Sequence, residues 1–372
     1  MNKESILIAF LGNIRYDTRT ANFYKSFRDK GYNVKVVCFD WTTISSTLHE
    51  RDISIYHLNK GRFSIIFYLR FAITLLAILF NSKAEIYFAE DVYTLPLVTL
   101  AGKLKGAKVF YDSREVYSHL AGLSNRKYLQ KILRLIESIC ITKVSKTITT
   151  GELDSAFIEK EYNIGKTLVL RNLPLYQKID EPFDFRKYYS LSFETKIFIY
   201  QGVVLHGRGL KIIFEAFEKL ENCVLVIIGD GEKKNYYEKL SVEKKLTRNV
   251  FFYGKVELSD LLRYTAGGDF GLAIIENLSL SYYYALPNKM FEYILTGLPV
   301  IASNFPQMKD IIDKYKVGIY VDPENVDEVI AVLKKCISDK LLTREYRENC
   351  FAASKELIWE KEIEKLIPFL EN

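Results

Sequence analysis

Residues 282–304 read YYYALPNKMFEYILTGLPVIASN, and the local signals in them set the reading of the whole chain. Leu286-Pro287 predicts a helix start, because proline has its φ preset and lacks an N–H that the first turn would leave unpaired. The helix carries Met290, Phe291, Tyr293, Ile294 and Leu295, then stops at Gly297 with Pro299 just beyond. An apolar strand over 299–302 follows at once. Asn288 and Glu292 stand four apart and Lys289 and Glu292 three apart, so all three share one face near the helix N-terminus. That end carries free N–H groups and a partial positive charge, which suits a phosphate. The face therefore offers amides and a cation for phosphates, and a carboxylate able to accept from ribose hydroxyls. The competing reading is a surface helix with an i,i+3 Lys/Glu pair, a common arrangement.

Working outward, this stretch closes a series of strands that each end in glycine. The run IFIYQG ends at Gly202, 224–228 ends in Gly229-Asp230-Gly231, and 250–253 ends at Gly254. Gly207-Arg208-Gly209 opens a helix through residue 220, helix 259–266 leads to strand 270–275, and strand 317–321 precedes helix 326–338. The first half has the same rhythm. Strand 6–11 ends in Gly12-Asn13, helix 18–30 stops at Gly31, and strand 34–39 follows. Strand 85–89 runs into Glu90-Asp91, and strand 108–111 into Asp112-Ser113-Arg114-Glu115. Helix 95–104 lies between them, helix 127–141 comes after, and further strands are expected at 146–150 and 167–170. Alternating strands and helices of this kind predict two doubly wound parallel sheets, with ligands beyond the carboxyl ends of the strands. Loop 12–19 should then face a cleft with Arg15, Asp17 and Arg19; the alternative for Asp17 is a helix N-cap. The polar stretch 176–192 is the expected linker, and the tail IWEKEIEKLIPFLEN reads as one amphipathic helix.

The chain has 372 residues, which fits two domains better than one core. Its 26 Tyr and 24 Phe point to a folded globular protein. Net charge is +6, but the two signs are mixed along the chain, which argues against a dedicated nucleic-acid surface. Five widely spaced cysteines without a C-x-x-C fit neither zinc ligation nor a disulfide framework, and they fit a reducing cytoplasm. The N-terminus MNKESILIAF enters a strand pattern directly, so no signal peptide is expected.

Segment 63–80, FSIIFYLRFAITLLAILF, is the most apolar in the chain. Arg70, Thr74, Ala77 and Asn81 fall on one narrow stripe of that helix, and the rest of its circumference is apolar. Three readings stand open: a buried or domain-edge helix, an interfacial helix, and a transmembrane span.

Neither GxGxxG after the first strand nor GxxxxGK[ST] occurs, which leaves dinucleotide and ATPase sites without support. H-E-x-x-H, a nucleophile elbow and a metal-type carboxylate cluster are also lacking, so no metal site is expected. Arg208, at a helix N-terminus between two glycines, is a candidate phosphate clamp. His49, His57, His119 and His206 are scattered; His119 stands out because it follows the 112–115 loop.

On these residues the chain resembles a glycosyltransferase of the GT-B type, in the large retaining family 4, and is similar to members that build bacterial cell-envelope polysaccharides. Gly12 with Asp17 and Arg19 resembles the family's first loop. Tyr111-Asp112-Ser113-Arg114-Glu115 resembles its Y-D-x-H-E segment. Tyr200-Gln201-Gly202 through Arg208-Gly209-Leu210 resembles the segment whose basic residue contacts the donor pyrophosphate. Gly229-Asp230-Gly231 and Phe252-Tyr253-Gly254 resemble the loops around the nucleotide base, with Val256 on the same donor side. Stretch 286–302 resembles the donor-site helix, where Glu292 would grip the ribose, with Pro287, Asn288 and Lys289 beside it. Trp359-Glu360 resembles the start of the final helix, which crosses back to the N-terminal domain.

The resemblance implies an α/β fold of two Rossmann-like domains facing a central cleft. An acceptor domain at 1–175 would receive the C-terminal helix 357–372, and a donor domain would span 193–356. It implies a UDP- or GDP-sugar donor, no required cofactor, a glycan or lipid-linked saccharide acceptor, and transfer with retention. It also implies a cytoplasmic protein, with contact to the inner membrane through 63–80 if that helix is interfacial. Gly12, Asp17, Arg19, Asp91 and Asp112 fall on the acceptor side. Three departures from the family pattern bear on the site. The first Glu of E-x7-E is Tyr284, Val203 replaces the basic residue after Gly202, and Arg114 replaces the histidine of Y-D-x-H-E. Candidate catalytic groups are therefore Arg114, Glu115 and His119, with the choice among them open. The rival classes are a non-catalytic nucleotide-sugar or glycan binder and a sugar-nucleotide epimerase.

Overall fold

The computed structural model describes residues 4–41, 44–61 and 64–371. Met1, Asn2 and Lys3, Phe63 at the start of the expected apolar helix, and Asn372 at the end of the tail lie outside the described residues. Packing divides the chain into two units: residues up to Arg171 together with those from Glu362 onward, and Asn172–Lys361.

The first unit is built on strands β1 (Ser5–Phe10), β2 (Asn33–Asp40), β3 (Leu48–Glu50), β4 (Ile53–His57), β5 (Ile86–Ala89), β6 (Lys108–Ser113), β7 (Lys146–Thr149) and β8 (Leu168–Val169). Their order is β3-β4-β2-β1-β5-β6-β7-β8, and only β3 pairs antiparallel among the described strands. β3 and β4 are absent from the sequence reading, because LHERDISIYH is short, charged and only half-buried where it forms the sheet edge. β1 to β2 runs one way across the sheet, and β4 through β8 runs the other. Right-handed crossovers then put helix Thr18–Asp29 on one face and helices Ser64–Asn81, Leu95–Lys105 and Lys127–Ile141 on the opposite face. The core follows this division. Leu7, Val37, Tyr87 and Val109 meet Phe71, Leu75 and Val98 on one side. On the other, Phe23 and Phe27 lie 5.7 and 5.1 Å from the Phe88 ring.

The second unit has β9 (Lys196–Gln201), β10 (Cys223–Ile228), β11 (Val250–Gly254), β12 (Phe270–Ala273), β13 (Val300–Ser303) and β14 (Gly318–Val321), all parallel, in the order β11-β10-β9-β12-β13-β14. β10, CVLVII, is buried along its whole length, as expected for a strand covered on both faces. The winding direction reverses between β9 and β12, which opens a crevice at their carboxyl ends.

Several elements differ from the sequence reading. Segment 176–192 contains helix Phe185–Tyr188 and packs on the second unit. Phe185 is buried against Tyr253 at 5.6 Å, and Tyr189 stacks on Phe251 at 4.1 Å. Helices Glu152–Tyr162, Lys234–Glu243, Leu280–Tyr283, Pro306–Tyr315 and Lys340–Ala353 were not anticipated. The tail is not one helix but short turns at Trp359–Glu362, Ile363–Lys365 and Ile367–Glu371. Pro368 lacks the N–H that a continuous helix would need there, so the chain restarts. The tail splits between units, with Trp359 fully buried in the second and donating its N–H to the Pro174 carbonyl at 2.8 Å. All five cysteines are buried thiols.

Candidate functional site

The crevice between β9 and β12 is shaped first by backbone. Gly229 sits against the end of β9, where a Cβ would lie 2.0 Å from the Gly202 carbonyl oxygen. Gly209 has φ +74°, and a Cβ there would meet the Ile274 carbonyl oxygen at 2.6 Å. Gly231 approaches the Val204 backbone in the same manner. These loops fold back tightly enough to leave room above the strand ends. Gly209 caps helix Leu210–Phe217, but its N–H already donates to Glu276 Oε1 at 3.3 Å, and the Glu276 N–H donates to the Gly207 carbonyl. Glu276, unnoticed in the sequence, thus holds the turn that presents Arg208. The Arg208 guanidinium lies 4.9 Å from the centroid of the Tyr282 ring.

Helix Asn288–Leu295 follows the crevice. Pro287 is its N-cap rather than its first helical residue, with extended φ −74° and ψ 140°. Lys289 and Glu292 are each only 8% exposed, which rules out a surface pair. They form no ion pair with each other among the described residues. The Lys289 ammonium sits 4.1 Å from the centroid of the Tyr200 ring instead. The Glu292 carboxylate accepts from the side-chain amide of Gln201, whose carbonyl oxygen accepts from Thr265 Oγ1 at 2.5 Å. Next to them, the Tyr293 hydroxyl accepts from the Gln201 N–H at 3.0 Å and pins the helix to the strand. Burial, then the Arg208 charge, pulls Lys289 down to about 7, with Glu292 opposing. Burial pushes Glu292 up to about 7, against the Gln201 hydrogen bond and the Lys289 charge. With both groups poised near 7, the charge of a bound ligand decides their protonation.

Two further donor-side candidates lie on neighbouring elements. Tyr284 is the C-cap of helix Leu280–Tyr283, and its carbonyl oxygen accepts from the Gln307 side chain. Val256 is half-buried just beyond β11. Gln201, Thr265 and Tyr293 are not among the site residues expected from the sequence; the one available signal was Gln201 in the Tyr200-Gln201-Gly202 segment.

In the first unit the winding reverses between β1 and β5, and a charged cluster forms there. Arg19 forms a two-point ion pair with Asp112 at 2.6 and 2.7 Å and donates to the Leu170 carbonyl at 2.9 Å. Arg114 pairs with Asp17 at 2.6 Å, with Glu90, and with Asp112 at 3.4 Å, and it lies 4.5 Å from the centroid of the Phe10 ring. Asp17 also caps helix Thr18–Asp29 through the Thr20 N–H at 2.7 Å. Asp91 accepts from the Leu11 and Thr94 N–H groups, both at 2.7 Å, and so ties β5 to the loop that begins after β1 near Gly12. Burial pushes Glu90 up to about 8, despite Arg114 beside it. Asp17 moves the other way: burial raises it, but the Arg114 charge and the Thr20 and Arg114 hydrogen bonds prevail and lower it.

Arg114, Asp17, Arg19 and Asp112 are therefore brought together, and Glu90, in the sequence only one of two acidic residues after a strand, joins them. Glu115 is exposed beside the cluster. His119 lies apart from those ion pairs, with Nδ1 2.9 Å from Ser118 Oγ and its ring edge-on to Phe157. Burial, then the Arg134 charge, lowers its proton affinity.

Residues 184–356 match the family described as "Glycosyl transferases group 1". The chain is 25% identical over 185 residues to the uncharacterized glycosyltransferase MJ1607 of Methanocaldococcus jannaschii, a match spanning 49% of this chain and 45% of the relative. The chain thus aligns with less than half the length of that relative. Among solved structures, sucrose-phosphate synthase from Thermosynechococcus elongatus superposes with a TM-score of 0.78 at 14% identity, covering 99% of this chain and 98% of that one. Anabaena Alr3699/HepE in complex with UDP and glucose superposes with a TM-score of 0.73 at 12% identity, covering 99% and 100%. The chain thus has the GT-B fold over its whole length, and residues 184–356, within the second unit, match a family of glycosyl transferases.

Proposed function

We propose that the protein transfers a hexosyl unit, with retention, from a UDP- or GDP-sugar to a glycan or lipid-linked saccharide in cell-surface polysaccharide or glycoconjugate synthesis. We place it in the cytoplasm, at the inner face of the membrane. The observation that carries this reading is the buried Lys289 and Glu292 at the switch point of the second sheet, beside Arg208. The Anabaena structure holding UDP and glucose has the same fold and lends support. In this reading Arg208, Lys289 and the helix N-terminal amides of Asn288 and Lys289 bind the diphosphate. They stabilise the negative charge that builds on it as the glycosidic bond breaks. Glu292 accepts from the ribose hydroxyls, and the crevice lined by Gly202, Gly229 and Gly231 receives the nucleoside. The acceptor is assigned to the first unit, with Arg114, Glu115 and His119 the groups nearest the chemistry and Asp17 beside them. Cationic side chains and helix amides take the part that a metal plays elsewhere.

A screen of UDP- and GDP-sugars for donor hydrolysis and for transfer to saccharide acceptors tests the proposal. Transfer with retained anomeric configuration is the expected result. Binding without turnover would identify a nucleotide-sugar-binding homologue and sink the enzyme reading. Epimerised donor without transfer would identify an epimerase.

A further inference from the structure

Helix Ser64–Asn81 rests on the first sheet through a single stripe: Phe67, Phe71, Leu75 and Leu79. The side turned away from the sheet is also apolar. Ile66, Leu69, Ile73 and Phe80 recur at helical spacing there, and each is between 46% and 61% exposed. The helix beside it, Leu95–Lys105, exposes Leu100 and Leu104; the next, Lys127–Ile141, exposes Leu135 and Ile139. All three cover the same face of the sheet, so the apolar residues extend across neighbouring helices. A water-facing surface of this composition is expected to have a cover.

Charge says what the cover is. The three helices carry six basic residues, Arg70, Lys103, Lys105, Lys127, Lys131 and Arg134, and one acidic residue, Glu137. Glu137 is buried and accepts from the Tyr111 and Tyr162 hydroxyls at 2.5 and 2.6 Å, so it neutralises nothing at the surface. Arg134 is paired with Glu161 of the adjoining helix; the exposed lysines form no ion pair among the described residues. The whole chain, with 52 basic and 46 acidic residues, has no such bias. A second copy presenting the same face would oppose like charges. An apolar surface studded with lysine and arginine instead matches anionic headgroups above acyl chains. Because Phe67, Phe71, Leu75 and Leu79 are committed to the protein core, helix Ser64–Asn81 does not offer its whole circumference to lipid as a spanning helix would.

We infer that the outer face of helices Ser64–Asn81, Leu95–Lys105 and Lys127–Ile141 is a docking surface for an anionic lipid bilayer. The inference deepens the reading of a membrane-borne acceptor and rests on it for its purpose; exposure and charge give its location. Phosphatidylcholine vesicles with and without phosphatidylglycerol, sedimented with the full-length protein, provide the test. Binding to the anionic vesicles alone, weakened by salt, is the expected result. Leu69→Ser with Ile73→Ser, and separately Lys103→Glu with Lys131→Glu, should each reduce it about tenfold or more. Val242→Ser, at an exposed apolar site on the second unit, should change nothing. All variants should keep wild-type UDP affinity and melting temperature, which separates this inference from the donor-site proposal. No binding, equal binding to neutral vesicles, or full binding by both double variants would overturn it. So would a dimer that the same substitutions dissolve.

Discussion

Gln201 donates its side-chain N–H to the Glu292 carboxylate, and both groups are buried at the end of β9. Thr265 fixes the amide from behind by donating to its carbonyl oxygen. Glu292 therefore faces the crevice with one donor already in place and capacity to accept more. Gln201→Leu removes that donor while leaving the carboxylate buried. Losing a hydrogen bond to a buried charge costs about 1–3 kcal/mol. UDP affinity should fall, and the midpoint of its pH dependence should move above about 7, where Glu292 now sits. Calorimetric titration across pH reads both changes; an unmoved midpoint would assign Gln201 a packing role only.

Glu292→Ala and Arg208→Ala should each weaken UDP binding about tenfold or more, in line with the loss of a charge-assisted hydrogen bond. Neither should abolish folding, because Met290, Phe291 and Tyr293 still anchor the helix. Circular dichroism establishes the fold, and undiminished binding in both variants would refute the site.

Lys289 has a sharper signature. Burial and Arg208 hold it at about 7, and a bound diphosphate should return it to the protonated form. Above that pH, binding takes up a proton, and affinity should fall about tenfold per pH unit. Below it, Lys289 is already charged and contributes no slope. Titrations in buffers of different ionisation enthalpy count the proton. Lys289→Met should bind weakly and lose the lysine-linked proton uptake.

The first-unit cluster predicts a stability effect. Arg114→Met leaves Asp17, Glu90 and Asp112 without their shared cation and should cost about 3–5 kcal/mol, read as a lower melting temperature. Glu90 behaves oppositely. Its folded value, raised to about 8, exceeds that of an unfolded glutamate, so the folded state holds a proton that the unfolded state releases. The stability this gives is present below the unfolded value and is lost as pH rises toward about 8. Glu90→Gln keeps the neutral shape and should flatten that decline.

By itself the sequence determined the alternation of buried strands and helices, the glycine-ended strands of the second half, and the helix holding Asn288, Lys289 and Glu292. Each is encoded locally, in periodicity, in a glycine or proline, or in a spacing of three or four. It did not reveal β3 and β4, whose edge position needs only a short, half-buried alternation. Nor did it reveal the packing of 176–192, where Phe185 and Tyr189 find partners some sixty residues away. Tertiary structure alone decided the state of the charges. Spacing makes Lys289 and Glu292 a surface pair; only the chain folding over them buries both and shifts their protons. Spacing likewise leaves Asp17, Glu90, Asp112 and Arg114 as solvated loop charges, until β1, β5 and β6 bring them to one point. Opposite charges interact through space and through the dielectric around them, and neither is written in the order of the residues.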